Sequence, residues 1–223
     1  MRNLFFVLIA VAFVFAASAQ EPLPLRADGS ITLWTVAGPL PNGPIMDHGK
    51  QCVGFYKDYL EKVGGESAAN PAEGDSITVD SGGTVSWRGV FSEASGLLNF
   101  NRIFDIASEA PAVAYAFCRL VSDSDQPVVL KIRSNDGVRV WLNESLIHEN
   151  HTGRTIDATE DSVAVTLEQG ERRLLVKVDQ SGGGWGLLLR ATGSDNQVAP
   201  GLRAAVTLKS ALSGSLIAAS IQG

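Results

Sequence analysis

The residues with the clearest potential for chemistry lie close together in one stretch. Arg139, Trp141 and Asn143 alternate along a predicted strand, so their side chains share one face, whereas the alternate positions are aliphatic. A flat aromatic ring suits the C–H face of a pyranose, and polar neighbours supply hydrogen bonds. We predict a carbohydrate-binding face built from these three residues and Tyr56. The alternative is that Trp141 packs beneath a connecting loop, because large aromatic side chains are mostly buried.

Acidic loop residues offer a second kind of chemistry. Asn135 and Asp136 share one predicted loop, and further acids lie in two others. Hard cations such as Ca²⁺ bind several loop oxygens, although none of these acids has the spacing of an EF-hand. We predict calcium as a cofactor at Asn135 and Asp136. The alternative is that Asp136 serves the turn in which it lies, while the other acids are solvated.

Catalytic motifs are absent from the sequence. The three histidines are His48, His148 and His151, and a zinc site would need a third ligand that the sequence does not nominate. No nucleophile elbow, P-loop or H-E-x-x-H motif occurs, and no pair of carboxylates stands out. We therefore predict that the protein is not an enzyme. A secreted hydrolase with an unrecognised site is the remaining alternative.

Strands must position these residues. Between residues 127 and 190, apolar and polar residues alternate in four successive runs, which is typical of strands with one buried face. Asn135-Asp136-Gly137 separates the first two runs and Gln169-Gly170 the last two, and both predict hairpin turns. Residues 113–122 are apolar on both faces, which predicts a central, covered strand. The predicted fold class is all-β, an antiparallel β-sandwich or jelly roll.

The first half of the chain is less regular. Residues 31–36 predict a strand that the Pro- and Gly-rich residues 38–44 end, and residues 97–104 alternate weakly. Within a long connection, an apolar stripe predicts a short helical insertion near residues 55–63. We predict one sandwich over residues 30–192 and a C-terminal tail over residues 193–223. The tail either adds one strand near residues 205–208 or lies loosely ordered.

The N-terminus resembles an export signal. A short basic start, an apolar run and Ala17-Ser18-Ala19 predict a signal peptide over residues 1–19, with no membrane span after cleavage. We expect a secreted, cell-surface or periplasmic protein. In such a compartment Cys52 and Cys118 form either a disulfide or two separate buried thiols. The net charge of −6, with no basic cluster along the sequence, predicts no nucleic-acid partner.

Several segments together resemble the galactose-binding-like β-sandwich (jelly-roll) modules of secreted bacterial proteins. The matching segments are residues 34–42, 59–66, 114–116, 134–143, 174–178 and 185–186. More distantly, residues 135–138 resemble the protective-antigen-type lectin domain, which has an aspartate at the position of Asn135. The resemblance implies a sandwich over residues 31–192 and a polysaccharide or cell-surface glycan as the partner.

These observations predict a secreted, non-catalytic carbohydrate-binding module. The alternative is an extracellular structural or self-assembling surface protein. Such a protein would form homo-oligomers through the apolar tail after Ala204 or through a sheet edge.

Overall fold

The computed structural model describes residues 18–19, 21–43, 53–80, 82–106 and 111–208, and about half of them lie in strands. The helices are α1 (Val53–Tyr56) and α2 (Phe100–Phe104), and two 3₁₀ turns cover Glu61–Val63 and Glu66–Ala68. The strands are β1 (Ser18–Ala19), β2 (Leu23–Pro24), β3 (Leu33–Pro41), β4 (Ser76–Thr78), β5 (Thr84–Ser86), β6 (Arg88–Phe91), β7 (Leu98–Asn99), β8 (Ala112–Ser122), β9 (Gln126–Ser134), β10 (Val138–Leu142), β11 (Ser145–Asn150), β12 (Asp161–Leu167), β13 (Gly170–Gln180), β14 (Gly186–Thr192), β15 (Leu202–Ala205) and β16 (Thr207–Leu208).

The larger of the two main sheets is built around β8. Its antiparallel order is β11-β10-β13-β8, and the far edge of β8 pairs with β3 along residues 112–117 and with β15 along residues 119–122. β6 extends the sheet beyond β3, and β2 extends it beyond β15. β8 is therefore central, as its apolar sequence predicts. Both of its faces are buried, since alternate residues such as Ala116 and Phe117 belong to two separate hydrophobic clusters.

The smaller sheet has the order β12-β9-β14-β7 and packs face to face on the larger one. Alternate aliphatic residues of β9, β10, β13 and β14 fill the space between the sheets. They include Val128, Leu130, Ile132, Val138, Val140, Leu174, Val176, Val178, Leu187 and Leu189. Apolar burial of this extent is the main stabilising term of the fold. The predicted all-β antiparallel sandwich is confirmed.

A second apolar layer covers the outer face of the large sheet. The cover segment (residues 53–80) packs Leu60 and Ile77 against Tyr115, Phe117 and other outward-facing residues of that sheet. The predicted helical insertion lies in this segment. It consists of α1 followed by a separate 3₁₀ turn that ends at Gly64, whose φ of 104° favours glycine.

Neither predicted hairpin exists. Asn135-Asp136-Gly137 carries the chain from β9 in the small sheet to β10 in the large sheet, and Gln169-Gly170 likewise joins β12 to β13 across the sandwich. Turn residues permit a reversal but do not select the partner strand. The tight hairpin connects β10 to β11 through Asn143 and Glu144, where Asn143 has a φ of 53° and its Oδ1 accepts from the Arg173 N–H at 3.0 Å.

Two element boundaries also differ from prediction. β3 continues through Pro39 to Pro41, because beyond Val36 it pairs only with β8, and its register shifts between Ala37 and Leu40. Proline tolerates such an edge because no partner needs its missing N–H. The weak strand pattern of residues 97–104 is mostly α2. Its N-cap is Asn99, whose Oδ1 accepts from the Arg102 N–H at 3.2 Å.

Both ends of the described chain contribute strands. β2 and β15 belong to the large sheet although they lie outside residues 30–192, and β16 pairs with β1. The described residues do not include the rest of the predicted signal peptide (residues 1–17). They also do not include Cys52 or residues 209–223 of the tail. Cys118 is a free thiol whose pKa burial raises. No helix in the described ranges is long and apolar enough to cross a membrane.

Candidate functional site

An exposed tyrosine marks one corner of the sandwich. Tyr56 is the last residue of α1, and 53% of its surface is accessible. Its ring stands perpendicular to two others, with centroids 4.9 Å from Phe55 and 5.2 Å from His151. Phe55 is fully buried and stacks flat on His151 at 4.0 Å. We call Phe55, Tyr56, Arg139, His151 and Asp179 the Tyr56 corner.

His151 connects the exposed tyrosine to a buried acid. Its Nδ1 lies 3.1 Å from the Tyr56 hydroxyl, and its Nε2 lies 3.4 Å from Asp179 Oδ2. A carboxylate only accepts hydrogen bonds, so the tautomer that pairs with Asp179 has its proton on Nε2 and leaves Nδ1 as an acceptor. The Tyr56 hydroxyl therefore donates to Nδ1, and this bond fixes the orientation of the tyrosine.

Hydrogen bonds from buried donors fix the position of the Asp179 carboxylate. It is almost fully buried on β13 and accepts hydrogen bonds from the Gly137 N–H at 2.8 Å and from Asn42 Nδ2 at 3.0 Å. Gly137 is essential to this arrangement. A Cβ at that position would lie 2.6 Å from Asp179 Oδ1, 2.9 Å from His151 and 3.0 Å from Phe55.

The structure brings Arg139 next to both Tyr56 and Trp141, but it buries Trp141 and places Asn143 away from them. The Arg139 guanidinium carbon lies 6.0 Å from the centre of the Tyr56 ring and 5.0 Å from that of Trp141. Trp141 is only 5% exposed and packs in the outer apolar layer, so its ring lies inside the protein, beneath the corner. Asn143 lies in the β10–β11 turn, four residues and about 13 Å along the strand from Arg139.

A buried charge network lies next to the corner. Lys177, which is fully buried, places its Nζ 2.8 Å from Glu66 Oε1 and donates to the Lys57 carbonyl at 2.6 Å. Burial lowers the pKa of Lys177, and the Glu66 carboxylate partly opposes this effect. Burial raises the pKa of Tyr115, whose hydroxyl donates to Glu66 at 2.5 Å and whose phenolate the Glu66 charge would disfavour. Since Lys57 and Glu66 belong to the cover segment, this network attaches that segment to the large sheet.

Arg139 completes this charge network at the surface. Its Nε donates to Glu149 Oε2 at 2.8 Å, and its Nη1 lies 3.5 Å from Glu66 Oε2. Lys177 and Arg139 therefore face Glu66 and Glu149, and the charge of Asp58 also acts on Lys177, so both cations are matched by acids.

The predicted calcium ligands Asn135 and Asp136 lie near the Tyr56 corner, but hydrogen-bond donors of the protein already bind both carboxylate oxygens of Asp136. Its Oδ1 accepts from the Arg154 N–H at 3.1 Å, and its Oδ2 accepts from the N–H and hydroxyl of Ser181 at 2.8 and 2.9 Å. Asn135 is partly exposed in the same loop. The described residues include no group of three or more His, Cys, Asp or Glu arranged to hold a metal. The calcium site stays a prediction.

A groove of about 510 Å³ lies beside the cover segment and was not predicted from the sequence. Leu60, Ile77 and Trp87 are its buried apolar residues, while Asn70 and Thr78 are exposed polar residues of its lining. Tyr59 also lines it, and burial together with the Asp80 charge raises the pKa of Tyr59 to about 12. Its lining comes from residues 59–87, and of these only residues 59–66 belong to a segment that the resemblance singled out, without a role in binding.

No protein-family model and no curated protein matches the chain. Among solved structures, a β-glucosidase from Kluyveromyces marxianus matches at 9% identity and a TM-score of 0.44, over 80% of this chain and 20% of the enzyme. The A domain of epithelial adhesin 9 from Candida glabrata, in complex with Galb1-3GlcNAc, matches at 8% identity and a TM-score of 0.42, over 86% and 99%. A PA14 sugar-binding domain from an RTX adhesin matches at 14% identity and a TM-score of 0.37, over 73% and 90%. This chain thus spans about a fifth of the length of the enzyme, and similarities this low carry no argument about its activity or ligand.

Proposed function

We propose that the protein is an exported, non-catalytic carbohydrate-binding module and that the Tyr56 corner is its binding site. One observation carries the proposal. Tyr56 is an aromatic residue more than half of whose surface is exposed, and perpendicular contacts with Phe55 and His151 hold its ring in place. The apolar face of a pyranose stacks on such a ring, and a ring that is already ordered loses little entropy on binding.

Polar groups around the ring would supply the orientation that stacking alone lacks. Arg139 and Glu149 offer a guanidinium and a partly exposed carboxylate, which suit the donor and acceptor pattern of sugar hydroxyls. Arg139 also lies beside the ring, where its charge favours an electron-rich aromatic face. This arrangement modifies the sequence prediction, because Tyr56 takes the stacking role assigned to Trp141.

The carboxylates in and around the Tyr56 corner support a non-catalytic role. Glu66 and Glu149 both contact Arg139, and Asp179 is buried under donors of the protein. A glycoside hydrolase needs two carboxyl groups on opposite sides of an accessible glycosidic bond. Export to the cell surface or beyond rests on the predicted signal peptide, and the sequence resemblance supports a glycan as the partner.

A glycan array with the mature chain tests the proposal. Tyr56→Ala should abolish retention on every neutral glycan that the wild type binds. Leu146→Ala, which removes another exposed apolar side chain (43% accessible) on β11, should leave retention unchanged. Running the array with and without calcium tests the metal prediction in the same experiment.

Two results would contradict the site. Retention by Tyr56→Ala equal to wild type would exclude the corner. Loss of retention in Asn70→Ala, with Tyr56→Ala unaffected, would move the site to the groove.

Self-association is a second candidate function, and β11 favours it. This strand pairs only with β10 among the described residues and exposes Leu146, so its edge could template a strand of another copy. Sedimentation over a range of concentrations tests it. Oligomers that Leu146→Lys disperses would support the edge, and a concentration-independent monomer would exclude it.

A further inference from the structure

The outer face of the small sheet carries three cations around one carboxylate. Lys131 and Arg133 lie on β9, Arg190 lies on β14, and Glu160 directly precedes β12. We call these four residues the Glu160 cluster. Lys131 and Arg190 are paired directly across the two strands, and Arg133 is one pleat further along. Like charges opposite each other on a sheet are destabilising unless an anion lies between them.

Glu160 supplies that anion. Its Oε2 lies 2.6 Å from Arg190 Nη2 and 3.3 Å from Arg133 Nε, and its Oε1 lies 3.9 Å from Lys131 Nζ. Only 16% of the Glu160 side chain is exposed, so one carboxylate occupies the centre of the cluster.

The cluster retains an excess of positive charge. Among the described residues, a second acid, Asp28, interacts with Arg190, and its carboxylate accepts from the N–H and hydroxyl of Ser30. Burial acts to raise the pKa of Asp28, but the bonds from Ser30 and the charge of Arg190 hold it below its ordinary value. Three cations facing Glu160 and Asp28 still leave one positive charge.

Donors also remain available in the cluster. A guanidinium has five N–H groups, and 40% of the Arg133 side chain and 26% of the Arg190 side chain are exposed.

We infer that the Glu160 cluster is an anion site that binds the carboxylate or sulfate groups of an acidic polysaccharide. Glu160 occupies the position of such a group when no ligand is bound. Arginine binds carboxylates and sulfates through charge-assisted, often paired hydrogen bonds. The inference goes beyond the proposed function, since the cluster lies on a different sheet from the Tyr56 corner.

Charge complementarity favours a polysaccharide over nucleic acid. The protein carries a net charge of −6, so it repels polyanions except at a local positive site. The positive site is compact, with three cations converging on a single carboxylate. Binding along a phosphate backbone needs a basic stripe over several phosphates. A polysaccharide whose acidic groups are isolated can bind through one such group at a single positive site.

The test uses the mature chain and three soluble polymers at low ionic strength. Polygalacturonate carries carboxylates, dextran sulfate carries sulfates, and dextran is neutral. We expect wild type to bind one or both acidic polymers but not dextran, with affinity falling as salt is added. The polymer that binds more tightly identifies which anionic group the site prefers.

Matched variants separate this cluster from general charge. Arg133→Gln/Arg190→Gln should weaken binding about tenfold, the loss expected for one or two charge-assisted hydrogen bonds. Arg102→Gln/Arg203→Gln, which removes the same charge from arginines that pair with Glu93 and Asp123, should have no effect. Glu160→Gln should strengthen binding, because it removes the competing carboxylate. Thermal unfolding followed by circular dichroism verifies that each variant is folded.

Equal losses in the two arginine pairs would overturn the inference, and so would unchanged or weaker binding by a folded Glu160→Gln. Equally tight binding to double-stranded DNA, or no binding of wild type to either acidic polymer, would also overturn it. The proposed function is judged separately. Tyr56→Ala should retain binding to acidic polymers, and Arg133→Gln/Arg190→Gln should retain binding to neutral glycans.

Discussion

The outer faces of the two sheets differ in how their charged side chains are paired. On the large sheet, Lys177 lies buried against Glu66 of the cover segment, and together with Glu149 the acids match the charges of Lys177 and Arg139. On the small sheet, the Glu160 cluster is partly exposed and has more cations than acids. A buried charge must be paired because desolvation is expensive, whereas water screens an exposed one. Balance thus indicates a structural network, and an excess indicates a surface available to a ligand.

The largest expected effect is in the buried network. Glu66→Ala leaves Lys177 buried without its counter-ion, and such changes cost about 3–5 kcal/mol. Glu149→Ala removes only the exposed partner of Arg139 and should cost less than about 1 kcal/mol. Denaturant unfolding of both variants measures the difference. Equal costs would contradict the distinction between the two pairs.

Gly137→Ala should have the next largest effect. The added methyl group meets Asp179, His151 and Phe55 within 3.0 Å, and overpacking of this kind costs about 1–3 kcal/mol. The control is Gly153→Ala, where the nearest atom to the new Cβ is 3.8 Å away. If the two variants unfold at the same denaturant concentration, the corner is less tightly packed than described.

Asp161 should make stability depend on pH at the edge where the two sheets meet. Its carboxylate contacts Arg154 Nη2 at 2.7 Å and His148 Nε2 at 2.9 Å. Burial acts to raise the pKa of Asp161, but these hydrogen bonds and charges together hold it below the ordinary value of 3.8. The stabilisation is therefore complete above that value and is lost as the pH falls through the lowered pKa.

Asp161→Asn tests this contribution. At pH 7 the variant should be less stable than wild type by about 1.5 kcal/mol, the scale of a hydrogen bond to a charged group. The difference should shrink once the pH falls below 3.8, measured by unfolding at a series of pH values. A difference that stays constant across this range would mean that the charge of Asp161 is not the cause.

The smallest effect is expected on the exposed face. Arg190→Gln loses the contact with Glu160 but also relieves the repulsion with Lys131, so its free energy of unfolding should change by less than about 0.5 kcal/mol. The same denaturant series measures it beside Glu66→Ala. A loss as large as that of Glu66→Ala would make the Glu160 cluster structural and would remove the contrast between the two faces.

Much of the sandwich could be predicted from the sequence. The alternation in β9, β10, β12 and β13 identified the strands and their buried faces, because the period of two is a property of the extended backbone itself. The two false hairpins show the limit. Asn135-Asp136-Gly137 reverses the chain well, but its partners are Arg154 and Ser181, which are distant in sequence.

The candidate site could be predicted only in part. Tyr56 and Arg139 belong together, but their distance depends on how the cover segment folds onto the sheet. His151 and Asp179 were not assigned roles because their contacts join α1, β13 and the loop after β11. The Glu160 cluster was missed because its cations are neighbours across strands and are spread out along the chain.

The sequence by itself determined the central strands of the sandwich, which of their faces is apolar, and where the chain can turn. Backbone geometry and side-chain hydrophobicity act locally, so a one-dimensional pattern records them. The tertiary structure alone decided which strands pair, that Trp141 is covered while Tyr56 is exposed, and which charges balance. These outcomes depend on contacts between segments far apart in the chain, which no local pattern encodes.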